Sequence, residues 1–337
     1  MRYTAPVEGR LTGVDVARGL ALISMFIAHV APSPGPAGVL NLSEFLTAAL
    51  FALLIGLSAQ LSAERMGFPA LFASSVVRAI AFIALGLWIN TWGAQVDIIL
   101  PYLGVLAIGV AVLAFLPSWA LGLLAVVCWW FAPSVIGVVT QQHAQLLASG
   151  SYLHYLTGWL AAGENYRVFT MLVWASLGIL AARLLIGRAT GLLFLAAVIF
   201  TAAAGATWWQ AQRLMEFFPY TGNRWEVGFD ALLALAALAW SLAVAAVLSS
   251  RSEALEFLAA PGRMTLSLYV VQVGILALYS NLAPRYGLPA ADDSWWMLAL
   301  LIVVCVGCAL LWKRVFAGTF ARRGPLETAL ALVSGRG

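Results

Sequence analysis

Three ionisable residues share one apolar segment near the start of the chain: Asp15, Arg18 and His29. Asp15 and Arg18 are three positions apart, so on a helix they lie on one face and can form an ion pair. His29 follows about 16 Å further along roughly the same side. An imidazole there can have a catalytic or pathway role, or it can be a hydrogen-bonded structural histidine. A titratable side chain at membrane depth favours the functional interpretation.

The composition of the chain indicates that these residues belong to a membrane protein. Apolar types make up 63% of the 337 residues, charged types make up 9%, and the mean hydropathy is +0.95. These values exclude a soluble globular domain, a disordered chain and a secreted disulfide scaffold. We expect a single membrane domain over residues 1–337, with a short cytoplasmic tail at 314–337. The cysteines lie in apolar runs and are expected to be core residues.

Apolar windows interrupted by glycine, proline and charge predict an all-α polytopic bundle of about ten transmembrane helices. The predicted spans are residues 14–31, 44–63, 70–91, 98–115, 120–139, 167–185, 191–209, 227–248, 264–282 and 295–312.

The basic residues predict the orientation of these spans, because cytoplasmic segments carry an excess of arginine and lysine. With the N-terminus inside, fourteen of the eighteen basic residues fall at the inner side: Arg2, Arg10, Arg18, Arg65, Arg78, Arg183, Arg188, Arg251, Arg263, Lys313, Arg314, Arg322, Arg323 and Arg336. We therefore predict a multi-pass protein of the cell membrane with both termini cytoplasmic. A cleaved signal peptide is the alternative for the first segment, but Asp15 and Arg18 favour an uncleaved helix.

Several segments resemble the transmembrane acyltransferase superfamily. Gly13-Val14-Asp15-Val16-Ala17-Arg18-Gly19, followed by His29, is similar to the opening helix of this group, which includes the family-3 membrane acyltransferases, the YeiB-like bacterial proteins and heparan-α-glucosaminide N-acetyltransferase. Residues 50–58, 99–106, 219–222 and 262–269 resemble later segments in the same order. The resemblance covers roughly residues 10–285. The chain departs from the family pattern at Tyr220, where many relatives have histidine.

The resemblance implies transfer of an acetyl or other short acyl group from cytoplasmic acyl-CoA to an extracytoplasmic sugar or glycolipid. It implies that His29 is the general base or a transient acyl carrier, with Arg18 and Asp15 as its partners on the same helix. No metal is expected. Inner cations would bind the CoA phosphates, because guanidinium groups bind phosphate bidentately. The candidates are Arg65, Arg78 and Arg263. For most inner arginines the alternative is the topology signal alone.

Polar residues that the topology places towards the outer half are candidates for binding the acceptor. They are Asn41, Glu44, Asp97, Tyr102, Tyr220, Tyr269 and Gln272. Glu44 or Asp97 would orient the imidazole, as a carboxylate does in a catalytic triad. Glu44 can equally be a favourable acid at a helix N-terminus, and polar groups inside spans can be helix–helix hydrogen bonds.

The connection 140–166 is expected to form a short interfacial helix or a lid on the outer surface. Its histidines, His143 and His154, lack the third residue of a ligand pattern, so no metal site is predicted. Two alternatives stay open for the whole chain: a transporter or flippase of an anionic metabolite or lipid, and a non-catalytic membrane scaffold of the same fold. Membrane lipids are expected partners, nucleic acid is not, and a homo-oligomer is compatible with the sequence.

Overall fold

In a computed structural model, the chain is described over residues 11–214, 217–250, 252–289 and 291–335. These residues form thirteen α-helices, several short 3₁₀ and π turns, and no β-strand. The helices are α1 Thr12–Val30, α2 Leu42–Ala63, α3 Phe68–Asn90, α4 Leu100–Leu113, α5 Ser118–Ala148, α6 Leu153–Thr157, α7 Val168–Leu185, α8 Thr190–Leu214, α9 Arg224–Val247, α10 Ser252–Arg263, α11 Thr265–Leu282, α12 Trp295–Val315 and α13 Pro325–Val333. The basic residues Arg2, Arg10, Arg251 and Arg336 lie outside the described residues.

All ten predicted spans are helical, so the all-α membrane fold is confirmed. Nine helices of the described part are long and apolar enough to cross a bilayer, whereas α4 has only 14 residues. The two ends of α4 nevertheless reach opposite ends of the bundle. Behind the C-terminus of α4, the carbonyls of Ala114 and Leu116 accept hydrogen bonds from Arg183 near the end of α7. In the first turn of α4, Tyr102 packs against Tyr166, which lies just before the start of α7. The protein is a multi-pass integral membrane protein.

The first and last described helices share one end of the bundle, which we call inner according to the charge distribution. Asp15 near the start of α1 pairs with Arg263 of α10. Lys313 near the end of α12 pairs with Glu256 of α10. Glu327 of α13 accepts hydrogen bonds from two first-turn amides of α11. The start of the first helix and the end of the last span therefore lie on the same side of the bundle, as they must when the chain crosses the membrane an even number of times.

Glycines bring the helices α1 and α10 into close contact. Gly19 of α1 packs against the Leu258 carbonyl, and Gly262 of α10 packs against the Asp15 carbonyl. A Cβ atom at either position would overlap the backbone of the partner helix, so only glycine fits. The same reciprocal arrangement joins α2 and α7.

The helices divide into a central and a peripheral group. In α1, α2, α7 and α9, between 61% and 67% of the span residues are buried, compared with 17% in α5 and α8, which present apolar faces outward as lipid-facing helices do. Helix α5 ends nine residues beyond its predicted end at 139, so the connection 140–166 begins as helix and continues through α6 and a π turn at Gly158–Ala162. The sequence did not predict α10 and α13, because short helices with charged residues lack a hydropathy signal.

Candidate functional site

An ion-pair network holds the inner end of α1. Asp15 is buried and pairs with Arg18 one turn away (Nη1 to Oδ1, 3.0 Å) and with Arg263 of α10 (Nε to Oδ2, 3.4 Å). Arg263 also donates two hydrogen bonds to Glu256 (2.9 and 2.8 Å), and the Lys313 ammonium lies 3.1 Å from the same carboxylate. Arg263, a predicted phosphate ligand, is thus engaged by two carboxylates of the protein itself.

The other predicted inner residues lie in different surroundings. Arg18 donates its second amino group to Ser58 of α2 (2.8 Å), so it joins α1 to α2 at the opposite end of the helix from His29. Arg65 is exposed just behind α2. Arg78 is half-buried ten residues into α3, deeper than a residue at the helix end.

His29 and Gln272, two of the predicted site residues, are in direct contact. His29 lies in the last turn of α1, and its Nδ1 is 2.7 Å from Nε2 of Gln272 on α11. Gln272 is completely buried, whereas His29 is half-buried. The contact joins side chains that are 243 positions apart in the sequence, and it orients the imidazole in the outer half of the bundle.

Eight buried side-chain polar atoms have no hydrogen-bond partner among the described residues, and they belong to Ser74, Arg167, Ser176, Asp230, Tyr269, Gln272, Ser280 and Asp292. Four of them lie in or beside the predicted site, and we call these the open polar atoms. They are Tyr269 Oη, Gln272 Oε1, Asp230 Oδ1 and Arg167 Nε. Tyr269 and Gln272 are three positions apart on α11, so their side chains share one face. The Tyr269 hydroxyl lies beside the Ile99 backbone without a hydrogen bond of normal geometry. Because each such atom costs about 1–3 kcal/mol of stability, a group of them marks a place that can bind a polar ligand.

A cluster of tyrosines lies beside these atoms. The ring centre of Tyr166 is 5.6 Å from that of Tyr102 and 6.3 Å from that of Tyr220, and both pairs pack edge to face. Tyr166 is also an ionisable neighbour of Tyr269. Burial raises the pKa of Tyr166 and of Tyr220, and acidic neighbours raise both further. The two phenols are therefore neutral at physiological pH and can donate hydrogen bonds.

The turn 219–222 holds Tyr220 in a rare backbone conformation. Its φ of 64° is the only positive φ of a non-glycine residue in the described ranges, at a cost of roughly 1 kcal/mol or more. Arg167 donates to the Tyr220 carbonyl (2.9 Å). Glu226 accepts from the Thr221 hydroxyl (2.7 Å) and from the Gly222 amide. Arg167 and Glu226 thus hold the backbone of the turn that carries Tyr220.

Asn41 and Glu44 line a separate pocket of about 230 Å³ between the end of α1 and the start of α2. Ile27 and Ala28 line it as well. At 100° per residue, His29 lies roughly 150° around α1 from the middle of that face, so it points away from the pocket. These two predicted acceptor residues therefore do not share the surroundings of His29.

Asp97 lies beside the tyrosine cluster, as a charged neighbour of Tyr102, Tyr166 and Tyr269. It is exposed and accepts a hydrogen bond from Asn165, which links the connection before α4 to the connection before α7.

Sequence reasoning missed Tyr166, Arg167, Glu226 and Asp230. A signal existed for the two carboxyls, because Glu226 and Asp230 are four positions apart at the start of a predicted span and so share a helix face. An ionisable residue inside a span is in itself a candidate for function. Tyr166 had no such signal, since it lies in the connection 140–166. Arg167 is the first residue of the predicted span 167–185, and a basic residue at the end of a span needs no functional reason.

In the part of the chain that the structure describes, no three His, Cys, Asp or Glu side chains come close enough together to hold a metal ion. No protein-family model matches the chain, and no curated protein matches it.

Proposed function

We propose that this membrane protein transfers a short acyl group, such as acetyl, from cytoplasmic acyl-CoA to an extracytoplasmic sugar or glycolipid. The contact between His29 and Gln272, with Tyr269 on the same face of α11, is the observation that carries the proposal. The resemblance to the transmembrane acyltransferase superfamily supports it, because His29 matches the histidine of the family pattern. A base held between two helices, beside polar atoms that can bind a substrate, suits such a transfer.

His29 is the general base of the proposed reaction. The acceptor oxygen or nitrogen attacks the thioester carbonyl, its proton passes to His29 Nε2, and the carbon–sulfur bond breaks to release CoA, which takes up the proton. Nε2 has a free lone pair only when Nδ1 carries the imidazole proton. Gln272 stabilises this tautomer when its amide is rotated by a half-turn, so that Oε1 accepts from Nδ1–H and Nε2 becomes the amide atom without a partner. The two orientations of the amide occupy nearly the same positions.

The acyl donor enters from the inner end in this proposal. Arg65 and Arg78 are the proposed ligands of the CoA phosphates. Arg18 and Asp15 anchor α1 at that end through their ion pair instead of contacting the acyl group. The pantetheine arm of CoA then extends through the bundle towards His29, about 16 Å above Arg18 along the helix.

The acceptor binds among the outer tyrosines. Tyr102, Tyr220 and Tyr269 are the proposed contacts. Tyr220 occupies the place of the histidine found in many relatives, but burial raises its pKa, so at neutral pH it is a hydrogen-bonding group and not a base. Its role in the proposal is therefore to position the acceptor.

A transporter of an anionic metabolite or lipid is the second candidate function, and one observation favours it. Asp230 is buried inside α9 and bears one of the open polar atoms, and ionisable groups at such depth are typical of ion and substrate pathways. Acyl-CoA turnover separates the two functions. The enzyme cleaves acetyl-CoA, whereas a transporter moves its substrate intact and a scaffold does neither.

Binding and turnover of acetyl-CoA by the purified protein test the proposal. Wild-type protein should bind radiolabelled acetyl-CoA saturably and release CoA thiol when membrane glycolipids are added as acceptors. His29→Ala should reduce CoA release by at least about 10²-fold and retain binding, while Arg78→Ala should weaken binding. Arg285→Ala, at an exposed arginine of the outer side, is the control and should do neither. Absence of saturable binding to folded wild-type protein at millimolar acetyl-CoA overturns the proposal.

A further inference from the structure

His143 and His154 form a second group of chemically active side chains, outside the site described above. His143 lies near the end of α5 and His154 in α6, both towards the outer surface. The structure brings their imidazole rings to 6.1 Å between centres, with an angle of 67° between the ring planes. Both side chains are half-buried, so each ring is partly accessible from outside.

Both rings are oriented through Nδ1. His154 Nδ1 is 2.8 Å from the Ser151 carbonyl, which can only accept, so Nδ1 carries the proton and Nε2 has the free lone pair. His143 Nδ1 is 3.0 Å from the Thr157 hydroxyl, which has the carbonyls of His154 (3.1 Å) and Leu153 (3.3 Å) as acceptors for its own proton. When the hydroxyl donates to a carbonyl, it accepts from His143 Nδ1–H, which leaves Nε2 of His143 free. Metal-binding imidazoles are held in this way, by a hydrogen bond from the nitrogen that does not bind the metal.

We propose that His143 and His154 bind one divalent transition-metal ion, Zn²⁺ in the test below, through their two Nε2 atoms. With a zinc–nitrogen bond of about 2.1 Å and a ring centre about 1.1 Å behind each nitrogen, two imidazoles on one zinc have centres at most about 6.4 Å apart. The observed separation of 6.1 Å lies within this limit. A tetrahedral angle brings the centres to about 5.2 Å, so the side chains have to approach by about 1 Å.

The site offers two protein ligands, because no third His, Cys, Asp or Glu of the described ranges joins them. The remaining coordination positions are open to water or to an oxygen ligand from outside the chain, which imidazole-bound zinc accepts readily. The ion clamps α6 to the end of α5 and so restrains the connection between α5 and α7. The proposal does not depend on acyl transfer.

Zinc titration of the full chain by isothermal calorimetry tests the proposal, with protein prepared without a polyhistidine tag. The chain has only three histidines, so the set of variants is complete. Wild-type protein should bind one Zn²⁺ per chain, and His143→Ala and His154→Ala should each weaken binding by about tenfold or more. His29→Ala is the matched control and should bind zinc like wild type. Equal binding by wild type and by the double variant overturns the proposal.

A measurement on the unaltered chain covers the case in which a variant fails to fold. Diethyl pyrocarbonate modifies free imidazole nitrogens, and mass spectrometry locates the modified residues. Zinc should protect His143 and His154 together, because the metal occupies Nε2 of each ring. Equal reaction rates of both rings with and without zinc contradict the site.

Discussion

The inner ion-pair network and the open polar atoms of the outer half differ in how their polar groups are satisfied. At the inner end, Asp15 and Glu256 each contact two cationic side chains. In the outer half, the open polar atoms have no hydrogen-bond partner within the described ranges. The fold would be more stable with apolar side chains of similar shape in place of these polar groups. We therefore expect the inner end to provide cohesion and the outer half to bind a ligand.

Helix α1 extends through both regions, so substitutions in one helix can test the two regions separately. Asp15 and Arg18 lie in its inner part, and His29 lies in its last turn, next to Gln272. Substitutions at its two ends should consequently affect different properties, stability at the inner end and proposed activity at the outer end.

Breaking the inner network should have the largest effect. Asp15→Asn leaves Arg18 and Arg263 without their shared anion and should lower the free energy of unfolding by about 3 kcal/mol, measured by denaturation in detergent. Ser58→Ala removes only the neutral contact of Arg18 and should cost about 1 kcal/mol. If Asp15→Asn is as stable as wild type, the inner network does not hold the bundle together.

Gln272→Leu should affect activity far more than stability. It removes an open polar atom but also the hydrogen-bond partner of His29, so the two effects on the free energy of unfolding oppose each other and the net change should stay within about 1 kcal/mol. CoA release should fall about 10–100-fold because His29 loses its orienting partner. Gln272→Glu is the matched variant, since a carboxylate can only accept from Nδ1–H and should preserve most of the turnover. A Gln272→Leu protein with normal turnover would show that this contact is structural.

Two tyrosines on α11 provide a sharper test of the open polar atoms. Tyr279 donates to the Pro289 carbonyl (3.0 Å), whereas the Tyr269 hydroxyl makes no normal hydrogen bond to a described residue. Tyr279→Phe should therefore lose about 1 kcal/mol of stability, and Tyr269→Phe should lose none or gain slightly. Thermal unfolding of the two variants measures the difference. Equal losses would mean that Tyr269 is satisfied within the fold.

Hydropathy and charge predicted the helices because a membrane span needs a continuous apolar stretch whatever it packs against. They did not predict the pairing of His29 with Gln272. Each was recognisable as a polar group inside a span, but their contact depends on which faces of α1 and α11 meet. The ion pair of Arg263 with Glu256 could not be predicted for another reason. Glu256 lies on α10, a short charged helix without a hydropathy signal.

The turn at Tyr220 shows a further limit of sequence reasoning. The resemblance singled out this residue, and the structure adds that Arg167 and Glu226 hold the turn. Arg167 precedes α7 and Glu226 begins α9, so only the packing of these two helices brings them to one turn. The positive φ of Tyr220 is not a preference of tyrosine, and it follows from these contacts.

The smallest expected effect is a pH dependence of the inner network. Burial alone would raise the pKa of Glu256, but hydrogen bonds from Arg263 and Lys313 outweigh it and lower the pKa. A carboxyl whose pKa is lower in the folded state than in the unfolded state stabilises the protein at pH values above the unfolded-state pKa, which is about 4.3 for glutamate. This contribution is lost as the pH falls through the pKa of the folded state. Glu256→Gln should therefore be less stable than wild type by up to about 1 kcal/mol at pH 7, with the difference vanishing in acid. An equal difference at pH 7 and below pH 4, measured by denaturation, would show that the side chain acts through packing and not through its charge.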